Sequence, residues 1–177
     1  NAMRGYRQLV WAAVFRTGHA WGTLSLTLTR GDGTVIEYGT VSYRVVTTAG
    51  VNKIVAFLNA GDTTTGHNFK YHGFGTGTTA EASGDTALVT EFTTEYATNN
   101  TRPTGSQTTG GSSNIYRTVA TFTPDSGGVL AVTEHGVFSA SSAGTLLDRS
   151  KFSAMNLDTG NGDNLQSTYD LTVPAGG

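Results

Sequence analysis

"LSLTLTRGDGTVIEYGTVSYRVV", Leu24 to Val46, is the stretch on which the fold turns. Leu24, Leu26 and Leu28 alternate with Ser25, Thr27 and Thr29, the period of a strand with one face buried. "RGDGT", Arg30 to Thr34, breaks the alternation, and Val35 to Val46 resumes it with β-branched and aromatic residues. The whole therefore reads as a β-hairpin. Arg30-Gly31-Asp32 spells a tripeptide known from integrin ligands, but Asp-Gly at a hairpin tip explains it without a receptor.

Composition extends this reading to the whole chain. Its 177 residues include 24 glycines and still more threonines, while only 14% are charged, well under the usual quarter. Threonine favours a pleated surface and glycine favours turns, and 37% hydrophobic residues suffice for a core. With no cysteine, thiolate catalysis, Cys-type zinc sites and iron–sulfur clusters are excluded. A net charge of −2 argues against a nucleic-acid partner. The longest apolar run, Leu9 to Phe15, is far short of the ~18 residues of a membrane span, so no membrane partner is expected. With Arg4 and Arg7 ahead of it, that run only faintly imitates a secretory leader.

Further strands are expected at "NFKYHGF", "ALVTEFTTEY", "IYRTVATFT", "VLAVTEHGVFSA", "TLLDRSKFSAM" and "NLQSTYDLTV", separated by glycine-rich tips. In "ALVTEFTTEY", the alternation puts Leu88, Thr90, Phe92, Thr94 and Tyr96 on one face. One short helix is expected at about Val51–Asn59, where Val51, Ile54, Val55 and Leu58 share a stripe and Gly61 offers a stop. Ala97 to Asn114, nearly free of apolar groups, reads as a long exposed loop or arm. The expected fold is mainly β: an antiparallel β-sandwich or jelly-roll-like barrel with that single helix. Residues 1–3 read as a cloning remnant, 4–45 as an N-terminal extension with the hairpin, and 46–177 as the sandwich, all within one compact domain.

Several patterns invite a chemical reading. Gly75-Thr76-Gly77-Thr78-Thr79-Ala80 fits G-x-G-x-x-A, with Glu95 about 20 residues on, but Gly84 breaks any helix that should follow. His67 and His72, near Asp62, lie five apart and would diverge on a strand. Asp158 to Asp163, "DTGNGD", lacks EF-hand spacing and reads as a turn. Glu134 and His135 are strand neighbours and face opposite ways, so they do not form an acid–base pair. No G-x-S-x-G elbow occurs. Gly73, Gly75 and Gly77 instead leave one face of an extended segment bare, so that a backbone or an aromatic ring can approach.

The blocks "VTTAGVNKIV", "NFKYHGFGTGTTAEASGDTALVTE", "IYRTVATFT", "VTEHGVFSASSAGTLLDRSKFSAMNL" and "GDNLQSTYDLTV" resemble, in this order, a family of small virion structural proteins of tailed bacteriophages and prophages. The resemblance runs from about Val46 to Gly177 and leaves Met3 to Val45 outside it. It implies a non-enzymatic component with no catalytic, cofactor or metal residues, placed in the virion and assembled in the bacterial host cytoplasm. More finely, it implies a capsid decoration (cement) protein that binds the assembled shell. Its partners would be the major capsid protein or other virion proteins, and a homotrimer would follow by analogy. Trp11, Phe15, Trp21, Asn99, Arg102 and Thr104 are the candidate contact residues, with ordinary core as the competing reading for the aromatics. Two alternatives stay open. One is a tail- or fibre-associated structural or adhesin domain. The other is a carbohydrate-binding module using Trp11, Trp21, Tyr71, Tyr96 or Tyr116.

Overall fold

The computed structural model describes residues 20–58, 68–97 and 99–173. The hairpin forms as its pattern requires: β1 (Trp21–Thr29) pairs antiparallel with β2 (Val35–Val46), closed by the Arg30–Thr34 turn. Leu24, Leu26 and Leu28 are at most 1% exposed, and the hydroxyl residues between them point outward. Val41 and Tyr38 are extra residues opposite β1, so β2 carries two bulges, and Gly39 takes a left-handed φ of +62° at one of them.

After β2 come helix α1 (Thr48–Leu58), β3 (Tyr71–Gly75), β4 (Thr108–Thr109), β5 (Ile115–Phe122), β6 (Val129–Phe138), β7 (Leu146–Asp158) and β8 (Asn164–Thr172). The strand order β3-β6-β7-β2-β1-β8-β5-β4 is antiparallel throughout and does not close. β2 meets β7 only through Val45 and Val46, opposite Arg149 and Asp148, and there the sheet divides into two layers. One layer is β2-β1-β8-β5-β4 and the other β3-β6-β7, and the result is a β-sandwich. Between them pack Leu24, Leu26, Leu28, Phe122 and Leu165 from the first layer, and Phe74, Val132, Phe152, Met155 and Leu157 from the second. The hairpin assigned by sequence to an N-terminal extension lies in the middle of the strand order, so residue 45 marks no boundary in the fold.

The helix starts where Thr47 accepts the Gly50 N–H through its Oγ1 at 3.0 Å, an N-cap. Gly50 lets the first turn rest on β7: a Cβ there would lie 2.7 Å from the Leu147 Cα. The expected apolar stripe is not the buried one. Val51 and Val55 are exposed, and Ile54 makes the contact with the core. The Leu58 side chain and Gly61, also invoked for this helix, lie outside what the structure describes.

"ALVTEFTTEY" does not form the expected strand. It contributes only isolated bridges, Glu91 to Gly75 and Tyr96 to Pro124. Leu88, Phe92 and Tyr96 are buried at a spacing of four, while Thr90 and Thr94, expected on the same face, are exposed. Residues 99–114 run along the sandwich instead of projecting as an arm. His72 donates its N–H to Pro103 O, Gly105 to Lys70 O, and Ser106 to Val119 O.

Candidate functional site

The segment Gly73–Ala80 is filled by the protein's own carboxylate. Gly75 pairs with Glu134 of β6, and the Gly77 N–H donates to Glu134 Oε1 at 3.1 Å. The same carboxylate accepts N–H groups from Val89 at 3.0 Å and Thr90 at 2.7 Å, and Arg149 reaches it at 2.9 Å. Arg149 continues to Asp85 and to the Thr79 carbonyl, both at 3.0 Å. Glu134 and Arg149 are almost wholly buried, so this cluster staples the irregular segment 76–90 onto the outer face of the three-stranded layer.

The glycine strip makes that staple fit. A Cβ on Gly77 would lie 2.4 Å from Glu134 Oε1, and one on Gly75 would lie 2.2 Å from the Thr90 carbonyl oxygen. On Gly73 it would meet the Phe138 ring at 2.8 Å. A backbone and an aromatic ring thus approach the bare strip, as its pattern predicts. No helix follows Ala80, so the dinucleotide fingerprint lacks its required context.

A second clamp claims Arg102. Its Nε lies 2.5 Å and its Nη2 2.8 Å from the Glu91 carboxylate, Nη1 donates to the Ala140 and Ala143 carbonyls, and the guanidinium lies 3.4 Å from the Phe138 ring centroid. Arg102, expected to touch a partner, is buried and ties its own loop to the β6–β7 turn. Of the other expected contacts, Asn99 is exposed with a left-handed φ of +53°, and Thr104 is exposed and bridges to Tyr71. Trp21 opens β1 half-buried on the outward side, and Trp11 and Phe15 lie outside the described residues. Tyr96 is buried, with its hydroxyl raised well above the usual phenol value by burial and then by the Glu91 charge. Tyr71 and Tyr116 pack against core clusters, so these tyrosines form no shared platform for a sugar.

A third cluster lies between the layers. β3 and β6 pair about Gly73 and Gly136, each preceded by a histidine, so His72 and His135 become diagonal neighbours on the inner face. Both are 0% exposed. His72 Nδ1 is 2.9 Å from His135 Nε2 and 2.7 Å from Ser167 Oγ of β8, and His72 Nε2 is 3.0 Å from Thr118 Oγ1 of β5. Sequence reasoning placed Glu134 and His135 on opposite faces, which holds, but missed their partners. The repeated His-Gly dipeptide was the available signal. Among the described residues, no three His, Cys, Asp or Glu side chains gather around a common point.

The hairpin tip and the β7–β8 turn hold each other. Asp163 accepts from Arg30 Nη1 at 2.5 Å, from the Gly31 N–H at 3.1 Å and from the Asp158 N–H at 2.8 Å. Burial alone would raise its carboxyl, but these donors outweigh burial and hold it below the ordinary carboxylate value. Arg30 is therefore engaged within the chain, and Asp32 accepts the Thr34 N–H at 2.8 Å, so the tripeptide serves as a turn.

The outer face of the five-stranded layer has a different character. Register places Trp21, Thr172 and Ile115 in one row, and Tyr43, Thr23, Asp170, Arg117 and Thr108 in the next. Rows Thr40–Ser25–Thr168–Val119 and Glu37–Thr27–Gln166–Thr121 follow. Its charges are Glu37 and the Arg117–Asp170 pair, bidentate at 2.7 and 2.6 Å. The rest of these rows is hydroxyl, aliphatic and aromatic, with the Gln166 amide.

No protein-family model matches the chain, and no curated protein matches it.

Proposed function

We propose that this chain is a non-enzymatic structural component of a bacteriophage virion, and specifically a decoration protein that binds the assembled capsid shell. The observation that carries the reading is the outer face of the five-stranded layer, a row-ordered array rich in threonine, serine and aromatic side chains, with Glu37 and one self-neutralised ion pair as its charges. Ideal strand spacings give it roughly 600 Å², approaching the ~800 Å² per partner of a standard interface. The buried ionisable groups support the reading from the other side. Glu134, Arg149, Glu91 and Arg102 are engaged in fastening loops to strands. The resemblance of the blocks from Val46 onward to phage virion proteins supplies the biological setting.

In this reading the major capsid protein is the partner, and many copies act together. A protein that binds only assembled shell stabilises it by mass action, and repeated weak contacts add through effective concentration. The test is co-sedimentation with phage shells stripped of accessory proteins, using wild type and Thr168→Lys, which puts a charge in the middle of the outer face. Wild type is expected to pellet with shells and the variant to be depleted at least tenfold. Sedimentation with isolated tails would replace the reading by a tail component, and a glycan-array hit without either would replace it by a carbohydrate-binding module.

A further inference from the structure

Only one asparagine of the chain is followed by a glycine: Asn161, in the turn "DTGNGD" that joins β7 to β8. This pair of residues has a reaction of its own. The Gly162 nitrogen attacks Cγ of the Asn161 side chain, and the new N–Cγ bond closes a succinimide ring. The side-chain amide group leaves as ammonia, carrying the proton of the attacking nitrogen. Water then opens the ring at either carbonyl, to give aspartate or isoaspartate. No metal or oxidant enters, and glycine, having no side chain, leaves its nitrogen open to the attack.

Asn161 and Gly162 are both exposed, so water reaches them, yet the fold holds both reacting groups elsewhere. Thr159–Asn161 form a short 3₁₀ helix, capped by Gly162 at a left-handed φ of +82°. The Gly162 N–H donates to the Thr159 carbonyl at 3.1 Å, which fixes the plane of the attacking nitrogen. Asn161 Nδ2 donates to Asp158 Oδ2 at 2.7 Å, which ties down the leaving group. The turn is fastened on two sides. Thr159 donates its N–H to the Gly128 carbonyl at 2.9 Å, and its hydroxyl lies between the Ser126 and Gly128 carbonyls. Asp163 accepts from Arg30 and Gly31 of the hairpin tip and from the Asp158 N–H.

We propose that Asn161–Gly162 is a deamidation site kept silent by the clamp between the hairpin tip and the β7–β8 turn. The ring closes only when that clamp opens, and the change runs one way. The aspartate product sets a second carboxylate against Asp158 Oδ2, in a cleft already lined by Asp32, Asp158 and Asp163. The isoaspartate product routes the main chain through the former side chain, one carbon longer. It also turns into a carboxylate the Asn161 carbonyl whose oxygen would lie 1.4 Å from a Cβ on Gly31. Either product hinders the turn from closing again. The inference holds whichever partner the outer face takes.

The experiment incubates the full chain at neutral pH, folded and in urea, and follows Asn161 by tryptic digestion and mass spectrometry. No lysine or arginine follows Lys151, so Asn161 falls in the C-terminal peptide 152–177. Asn156 and Asn164 of the same peptide, each followed by leucine, serve as internal controls. Fragment masses locate the amide-to-acid change, and chromatography separates the two products. A reaction gated by local opening is expected to run at least about tenfold slower in the folded chain than in urea. Asp163→Ala removes the acceptor of the clamp and is expected to speed the reaction while the chain stays folded. Equal rates for folded and unfolded wild type, or no reaction in urea, overturn the proposal. So does a folded Asp163→Ala chain that reacts no faster than wild type. If that variant does not fold, wild type in sub-denaturing urea decides. The Asn161 rate is then expected to rise together with amide exchange at Gly31. A rate that rises only with global unfolding, read at Ser167 of β8, overturns the clamp as the gate.

Discussion

Replacing Glu134 by Gln tests whether the interior staple holds segment 76–90 in place. The substitution keeps the side chain's shape and one oxygen, but turns an NH2 group either toward the N–H donors of Gly77 and Thr90 or toward those of Val89 and Arg149. Arg149 is 1% exposed and is left with Asp85 at 3.0 Å as its remaining carboxylate. Breaking a buried pair costs about 3–5 kcal/mol, and the retained Asp85 contact places this variant near the lower end. At 2–4 °C per kcal/mol for a domain of this size, the melting temperature should fall by about 6–12 °C. Denaturant unfolding gives the energy, and amide hydrogen exchange gives its location. Gly77, Val89 and Thr90 should lose protection sooner than Ser167 in the middle of β8. A loss under about 1 kcal/mol, below any buried-pair value, would refute the reasoning, as would deprotection spread evenly over both layers. Replacing both partners, Glu134→Met with Arg149→Leu, should recover only part of the loss: no buried charge then remains uncompensated, but the N–H groups of Gly77, Val89 and Thr90 still lose their acceptor.

Other sites give sharper contrasts. Gly31→Ala would place a Cβ 1.4 Å from the Asn161 carbonyl oxygen, so the hairpin tip and the β7–β8 turn must part. Chemical denaturation should show a loss of about 3 kcal/mol or more. Gly33→Ala meets open space at a φ of +87°, so only left-handed strain of about 1–2 kcal/mol is expected there. The lowered Asp163 carboxyl contributes stability that is present above its unfolded value of about 4 and is lost as the pH falls through its lower folded value. Asp163→Asn should flatten that part of an acid titration followed by circular dichroism. Arg102→Ala strands Glu91 and uncovers the Phe138 ring, so its thermal unfolding should report about 3–5 kcal/mol lost. Thr104→Ala, at an exposed position, should stay within about 0.5 kcal/mol.

The sequence made β1, β2, β5 and β8 legible because their layer is buried on one side, while β4 fell inside the segment read as a loop. β1 and β8 alternate cleanly, and Leu24, Leu26, Leu28, Leu165 and Tyr169 all point inward as their period requires. The glycine strip and the turn roles of "RGDGT" and "DTGNGD" were legible for a similar reason, since they depend on local backbone. Less visible was β6, where residues 132–139 are all buried although Thr133, Glu134 and His135 are polar. A strand covered on both faces loses its alternation. The groups that satisfy Glu134 stand 15 residues away at Arg149 and 44 and 45 away at Thr90 and Val89. No local period encodes those distances. The same blindness made Arg102 look like a free cation on a polar arm.

This asymmetry bears on where a partner can attach. The three-stranded layer meets the other layer with its inner face, and segment 76–90 with Arg102 occupies its outer face. Its edge at β3 is bonded to residues 90–92 and 103–105. On the other layer, the free side of β2 carries two bulges, which discourage the addition of another strand. β4, at the far end, is two residues long. Strand addition is thus poorly served at β2, β3 and β4, whereas the outer face of β1-β8-β5 runs without a register shift and is low in charge. The attachment proposed above is therefore face to face, through the Trp21, Thr23, Ser25 and Thr27 rows. It moves the proposed contact away from the polar loop, where Arg102 is bound to Glu91, and onto the sheet built around the β1–β2 hairpin.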